Sequence, residues 1–291
     1  MAEEAGALGL AGWLGQSRGM AAAHCHLDLE VNYVLAGTMT YLVAGRIVAL
    51  PQRRLCLLWG GVPHQMIRSS HPVEAIWVTV PLTTVLRWGL PDRLIRPLLT
   101  TGFIADAAPR PGDLDLLHQW LEDLPRPGDH QTQPAGSDVA VEIVLLEIEA
   151  RLRRLSRSLT HPSQAEPEAH GEAARSDQAL AAVEAMAHFI SRNFQEPIGA
   201  AGIAGAAHLH PNYAMTLFRR HTGMTLSQYL VLQRVAYAQR LLATTDNAIQ
   251  EIAFDAGFGS VSRFYEAFHQ QTGISPRRFR MQMARAYPLS R

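Results

Sequence analysis

The chain has 291 residues, of which 47% are apolar and 18% charged, and its 26 cationic residues, all Arg, equal its 26 Asp and Glu in number. That length suits two domains of ordinary size. Two cysteines, Cys25 and Cys56, exclude a disulfide framework. Apolar runs fall short of the roughly 18 residues of a membrane span, and Glu3 and Glu4 stand where a secretory leader would be basic. The expectation is a cytoplasmic protein with no membrane partner.

Residues 1–18 are rich in Gly and Ala around Trp13 and Leu14, which fits either an arm or a first edge strand. From His24 to Trp77 the chain breaks into short β-type runs. Val31–Leu35, Met39–Val43, Ile47–Leu50, Leu55–Trp59 and Ala75–Val80 are each followed closely by Gly or Pro. Short strands with such punctuation predict a sandwich or barrel. Within this region lie His24, His26 and Glu30, and later Gly61-Val62-Pro63-His64. On a continuous strand His24, His26 and Glu30 share one face and Cys25 takes the other.

Three imidazoles and a carboxylate form a credible ligand set for Zn²⁺, Fe²⁺, Mn²⁺ or Ni²⁺. The same side chains, with Trp59 and Trp77 as walls, equally describe a metal-free pocket that hydrogen-bonds and stacks against an organic effector. Both readings stay open. A third, iron-dependent oxygenase or isomerase chemistry, is disfavoured because no further acid–base pair stands nearby.

Residues 82–135 read as helical and irregular, with a short helix over Leu114–Leu124 near Asp113 and a Pro/Gly loop over Pro125–Gly136. Ser137 or Asp138 then caps a helix running to about Leu159. Its apolar positions Val141, Leu145, Ile148, Leu152, Leu155 and Leu159 are spaced 4, 3, 4, 3, 4. That seam predicts dimerisation through Leu145, Ile148, Leu152 and Leu155, or packing of the helix on its own barrel. Glu147/Arg151 and Glu149/Arg153 are i,i+4 pairs. Residues 161–177, with Pro162, Pro167 and Gly171, read as a linker.

The remaining residues, 178–291, carry 11 Arg against 6 Asp plus Glu, while residues 1–177 carry 15 Arg against 20. The C-terminal part is therefore the electrostatic match for nucleic acid. It is also written twice. Phe218-Arg219-Arg220-His221-Thr222-Gly223 and Phe268-His269-Gln270-Gln271-Thr272-Gly273 begin 50 residues apart, and Tyr229 and Phe279 keep the interval. Each copy has a short apolar helix (Ile203–Ala207; Ile252–Ala256), a turn (His208–Pro211; Gly257–Gly259) and a second helix with Asn212 or Ser260 as cap.

The inward faces of these second helices are expected to be Ala214, Leu217, Phe218 and His221 in one copy, and Phe264, Ala267, Phe268 and Gln271 in the other. The outward residues, Asn212, Tyr213, Thr216, Arg219 and Arg220, then Ser260, Ser262, Arg263, Glu266 and His269, form the expected double-stranded DNA contacts. The Thr225–Thr244 run predicts a connecting helix of about 30 Å. That is close to the roughly 34 Å between successive major-groove faces.

These features resemble the AraC-type transcription regulators. The resemblance rests on Ile203-Ala204, Phe218 to Gly223, Tyr229, Arg234, Leu241-Leu242, Ile252-Ala253, Ala256-Gly257-Phe258, Phe264, Phe268, Gly273, Ser275-Pro276 and Arg280. In several members an Arg two residues before the second core Phe reaches DNA; here that residue is Glu266. Upstream, Gly19, His24, His26, Glu30 and Gly37 are similar to the first cupin motif, and Gly45, Pro51 and His64 to a degenerate second one. The resemblance implies a multidomain β + α protein. It has a cupin-like effector domain over residues 1–136, a dimerisation helix over 137–160, a linker over 161–177 and a tandem helix-turn-helix domain over 178–291. It further implies a homodimeric activator, RNA polymerase as partner, a small-molecule effector with sugars as the leading class, a divalent metal as the one candidate cofactor, and no enzymatic activity.

Overall fold

The computed structural model describes residues 9–16, 19–70, 73–127, 137–159 and 174–286. The strands are β1 (Ala11–Gln16), β2 (Asp28–Ala36), β3 (Met39–Val43), β4 (Arg46–Leu50), β5 (Cys56–Trp59), β6 (His64–Ser69), β7 (Glu74–Pro81) and β8 (Phe103–Ala105). The helices beside them are α1 (Leu82–Arg87), α2 (Asp92–Thr101), α3 (Asp113–Asp123) and α4 (Ser137–Ser158). A second group follows: α5 (Ala174–Asn193), α6 (Ala200–Ala206), α7 (Pro211–Thr222), α8 (Leu226–Thr244), α9 (Ile249–Asp255), α10 (Val261–Thr272) and α11 (Pro276–Ala286).

The strands make two sheets, β1-β7-β2-β5-β8 and β4-β3-β6, so the expected barrel is an unclosed two-sheet structure. Alternation along β2, β5 and β7 sorts their side chains onto two faces. Leu29, Val31, Leu57, Trp59, Ile76 and Val78 lie under α1–α4. Val34, Cys56, Leu58, Ala75 and Trp77 face Met39, Tyr41, Val43 and Met66 of the smaller sheet. Trp59, a candidate pocket wall, therefore belongs to the helix-covered face, whereas Trp77 lies between the sheets. Ala11–Gln16 is an edge strand paired with β7.

Helix α4 corrects the reading of the dimer seam. Ile148, Leu152 and Leu155 are buried, with Leu145 partly buried, in the same cluster as Leu94, Leu98, Leu117 and Trp120. The heptad stripe is spent within the chain. Arg151 does not pair with Glu147: it is buried and donates to Asp113 Oδ1 at 2.7 Å and Asp106 Oδ2 at 2.7 Å. Glu147 instead accepts from Trp120 Nε1 at 2.9 Å. The Glu149–Arg153 pair forms as expected, at 2.8 Å. The large apolar residues that α4 leaves exposed are Val139, Ile143 and Leu146.

The linker expected over 161–177 lies largely outside the described residues, and its last four positions, 174–177, already belong to α5. The Pro/Gly loop over Pro125–Gly136 is described to residue 127.

The helical domain repeats its geometry as well as its sequence. Gly223 and Gly273 close α7 and α10 in left-handed conformation, at φ 70° and 71°. Thr222 and Thr272 each donate to the carbonyl four residues back at 2.8 Å. His208 and Gly257 occupy the equivalent positive-φ turn positions, at 54° and 83°. His210, not Asn212, is the N-cap of α7, with Pro211 as the first helical residue; Ser260 caps α10 as expected. Thr225 and Gln228 form a capping box at the start of α8.

Candidate effector site and nucleic-acid interface

The polar cluster sits where the chain crosses from one sheet to the other. His24 exchanges backbone hydrogen bonds with His64 of β6, at 3.1 Å each way. Two residues on, His26 N–H donates to Gly60 O at 2.9 Å, beside the end of β5. Asp28 then begins β2. The continuous strand expected for His24–Glu30 is thus bent at residues 25–27. The bend still delivers His24, His26 and Glu30 to one place, and β6 brings in His64.

One potential ligand atom from each of these four residues lies within 4.8 Å of the others. His26 Nε2–H donates to Glu30 Oε1 at 2.7 Å, and Asn32 Nδ2 donates to Glu30 Oε2 at 3.3 Å. His64 Nε2 lies 3.4 Å from Glu30 Oε1 without hydrogen-bond geometry. Behind the rings, His64 Nδ1–H donates to Val62 O at 2.9 Å, and His26 Nδ1 accepts from Asp28 N–H at 3.3 Å. The Asp28 carboxylate is 3.6 Å from the same Nδ1 and is itself held by Gly9 N–H at 3.2 Å.

Burial, together with the neighbouring His64 and His26, pushes His24 down to about 3. Burial alone would raise the Glu30 carboxyl; its hydrogen bond with His26 and the nearby His64 ring outweigh that and hold it well below the usual range.

Gly60 and Gly61 are more than strand punctuation. A Cβ on Gly60 would lie 2.4 Å from the His26 ring, and one on Gly61 would lie 2.4 Å from the Trp59 ring. Trp77 stacks on Trp13, with centroids 5.8 Å apart and planes at 12°. Asn32, which neither composition nor spacing singled out, is buried beside Glu30 and directly opposite Trp77 in the β2–β7 register. Its period-2 relation to Glu30 was the available signal.

The opposite side of the same crossover touches the helical domain. Ala23 and the partly buried Cys25 pack with Val183, Met186, Ala187, Phe218 and Tyr229, as the parity of Cys25 predicts, and burial pushes its thiol up. A Cβ on Gly223 would lie 2.1 Å from Ala21 O, and one on Gly45 would lie 2.6 Å from Ala187 O. Ile47 N–H donates to Glu184 Oε1 at 2.8 Å.

On the helical domain, Phe218 and Phe268 are buried, as are Ala214, Leu217 and Phe264. His221 is only partly buried, lying near Arg68 of the other domain, while Thr222 takes the buried position. Ala267 is half-buried and Gln271 exposed. Asn212, Tyr213, Thr216, Arg219 and Arg220 are exposed on α7, and Ser262, Arg263, Glu266 and His269 on α10. Ser260 is half-buried and spent on capping. Met215, Tyr265 and Gln270 share these exposed faces and were absent from the expected set. Arg234, between the copies on α8, donates to the carbonyls of Phe194 and Glu196 at 2.7 and 2.9 Å, so it is structural.

A two-sheet domain enclosing a polar cluster, joined to a duplicated helix-turn-helix, defines a ligand-binding transcription regulator. A model described as an AraC-like ligand binding domain matches residues 15–100, and one described as a helix-turn-helix domain matches residues 203–282. The chain belongs to the AraC-type transcription regulators. The melibiose operon regulatory protein of Escherichia coli strain K12 is 28% identical over 262 residues, which is 90% of this chain and 84% of that protein. The transcriptional activator RhaR of Cronobacter sakazakii is 46% identical over 66 residues, or 23% of each chain. Among solved structures, the DNA-binding domain of AdpA, in complex with a target DNA, is 29% identical and covers 36% of this chain and 98% of its own, with a TM-score of 0.34. Among the described residues no helix is long and apolar enough to cross a membrane.

Proposed function

We propose that the chain activates transcription in the cytoplasm as a homodimer, contacts RNA polymerase, and responds to a small hydrophilic effector, with sugars as the expected class. The words "melibiose operon" and "transcriptional activator" belong to the relatives that carry them; they are the reason for choosing a sugar and activation here. The buried set Glu30, Asn32 and His64, near Trp77, supports the choice, since hydroxyl-rich ligands need hydrogen-bonding groups beside an apolar platform. The reading includes no catalytic step.

The observation that carries the mechanism is the crossover at residues 20–27. His24 and His26 point to the polar cluster while Ala23 and Cys25 pack on the DNA-binding domain. An effector that binds more tightly to one setting of this segment shifts how the two domains sit together. On DNA, Arg219, Arg220 and Arg263 are positioned for phosphate or guanine, and the other exposed α7 and α10 residues for base edges.

The homodimer needs a surface other than the spent heptad stripe, and Val139, Ile143 and Leu146, spaced four and three apart, supply one. The test pairs a thermal-shift screen of sugars with DNase footprints of the same protein. A sugar that raises the melting temperature and changes the footprint supports the reading. Footprints that stay identical with every stabilising sugar overturn it.

A further inference from the structure

Strand β6 carries a β-bulge that moves one arginine from the inside of the sandwich to its outside. In the β3–β6 register Met66 pairs with Tyr41 and Arg68 with Thr40, so Ile67 is an extra residue. Strict alternation would give Arg68 the face of Met66, which looks between the sheets. The bulge gives it the face of Thr40 instead, a re-aiming of the kind that bulges perform. Leu42 shares that face, and Leu42 and Ile67 pack in one cluster with Leu217 and Phe218 of α7.

Arg68 therefore emerges, with an exposed side chain, beside the last turn of α7. Burial, then the charges of Arg220 and Arg68, lower the His221 pKa, so Arg68 is within Coulombic reach of that helix end. The close approach of Gly223 to Ala21 O clamps the same end of α7 to the effector domain. While the domains are docked, the juxtaposition is fixed. Two domains thus build one exposed basic edge. Arg219 and Arg220 come from the helical domain, and Arg68 from residues 1–177, where Asp and Glu outnumber Arg by 20 to 15. Guanidinium groups held together repel one another, and their planar forks match phosphate. An anion at this edge relieves the repulsion.

Helix α7 identifies that anion. The N-terminal residues of a recognition helix meet base edges, which leaves its last turn, with Arg220 and His221, at the phosphate backbone beside the groove. We propose that in the docked protein Arg68 of the effector domain binds a DNA backbone phosphate just outside the half-site read by α7. The inference rests on the DNA-binding reading of α7 and extends the interface to a residue of the other domain. A phosphate contact carries no base information, so Arg68 adds affinity and salt dependence without changing sequence choice. It also makes the effector domain part of the DNA-binding surface, for as long as Leu42 and Ile67 stay packed on α7.

The test uses the full-length protein and a duplex that it selects from a randomised pool. The duplex is either trimmed to a single half-site or extended on each side by one helical turn, roughly 10 base pairs. Affinity is measured over a range of salt concentrations. On the extended duplex Arg68→Ala should lower the slope of log K against log salt by about 0.9, the value for one phosphate of B-DNA. It should lose affinity by the same factor on a scrambled duplex of equal length. On the trimmed duplex it should bind like wild type, and without DNA it should melt like wild type. Arg68→Lys should keep the wild-type slope. Arg220→Ala, on the reader itself, should lower the slope on both duplexes. An unchanged slope for Arg68→Ala on the extended duplex, beside a lowered one for Arg220→Ala, overturns the proposal and leaves the α7 reading standing. Unchanged slopes for both variants overturn the two together. A slope lowered equally on trimmed and extended duplexes overturns the flanking contact. A lowered melting temperature with an unchanged slope does so too, since Arg68 then only packs against the end of α7.

Discussion

Replacing Leu152 by Ala distinguishes a core helix from a dimer seam. Leu152 is 1% exposed and shares a cluster with Leu94, Leu98, Leu117 and Trp120. Truncating a buried leucine removes its transfer free energy and leaves a cavity, at a cost of about 2–5 kcal/mol. In a unit of 150–250 residues each kcal/mol moves the melting temperature by about 2–4 °C, so the expected drop is about 4–20 °C. Leu146, six positions earlier and 65% exposed, makes the opposite case. Leu146→Asp should change monomer stability by no more than about 0.5 kcal/mol while shifting the protein toward monomer. The assay is thermal unfolding followed by circular dichroism, paired with sedimentation velocity on both variants. If Leu152→Ala melts like wild type yet dissociates the dimer, the stripe is an intermolecular seam and its assignment to the core is wrong.

Other consequences can be checked on the same protein. Arg151→Met removes the cation paired with the buried Asp113 carboxylate and leaves buried Asp106 paired to Arg110; the expected loss is about 3–5 kcal/mol in urea unfolding, and an unchanged midpoint would show that the network contributes nothing. Arg263→Ala should cost about 1–3 kcal/mol of specific DNA binding and relax one base position if Arg263 pairs with guanine. A loss equal across all sequences would make it a phosphate contact. Gly60→Ala places a Cβ 2.4 Å from the His26 ring, so it should weaken any ligand of the polar cluster while sparing DNA binding by the helical domain; equal ligand affinity in titration would argue against the assigned geometry.

The helical domain was the more legible half because its signals are local. Capping side chains, the Thr-Gly ends and a 50-residue repeat are all written within a few turns of where they act. One failure there came from outside the domain, since His221 lies near Arg68 of the neighbouring domain, while the His210 cap of α7 and the exposed Gln271 were local misses. The sandwich was legible as strands and illegible as pairing. β6 has the mixed sequence His64–Ser69, and β8 has three residues; both are defined by their partners rather than by their own pattern. Trp59 was misplaced because the faces of β5 depend on which side the helices cover. The α4 stripe was visible, but a heptad pattern says that a face is buried without saying against what. The four site residues were found by type and spacing; the bend that joins them, and the glycines that admit His26 and Trp59, follow only from the crossover between the sheets.

In the proposed mechanism domain docking gives the ligand site its reach, and Glu184 is where that reach can be measured. Its carboxylate accepts the Ile47 backbone N–H at 2.8 Å across the interface. Hydrogen bonds to charged groups contribute about 1.5–3 kcal/mol, so Glu184→Ala should raise the undocked fraction by about ten- to a hundred-fold. Docking leaves Asn212, Thr216, Arg219 and Arg220 exposed, so a single helical domain reads DNA equally well in either state. In the proposed homodimer, what undocking removes is the fixed separation between the two helical domains, and with it effective concentration at the second half-site. Glu184→Ala should therefore bind a single half-site with wild-type affinity and a paired operator more weakly, with a larger radius of gyration in X-ray scattering. Equal losses on both DNAs would place the effect in the helical domain itself. No change in scattering or affinity would mean that the Glu184 contact does not hold the domains together, and the crossover would then lose its route to DNA.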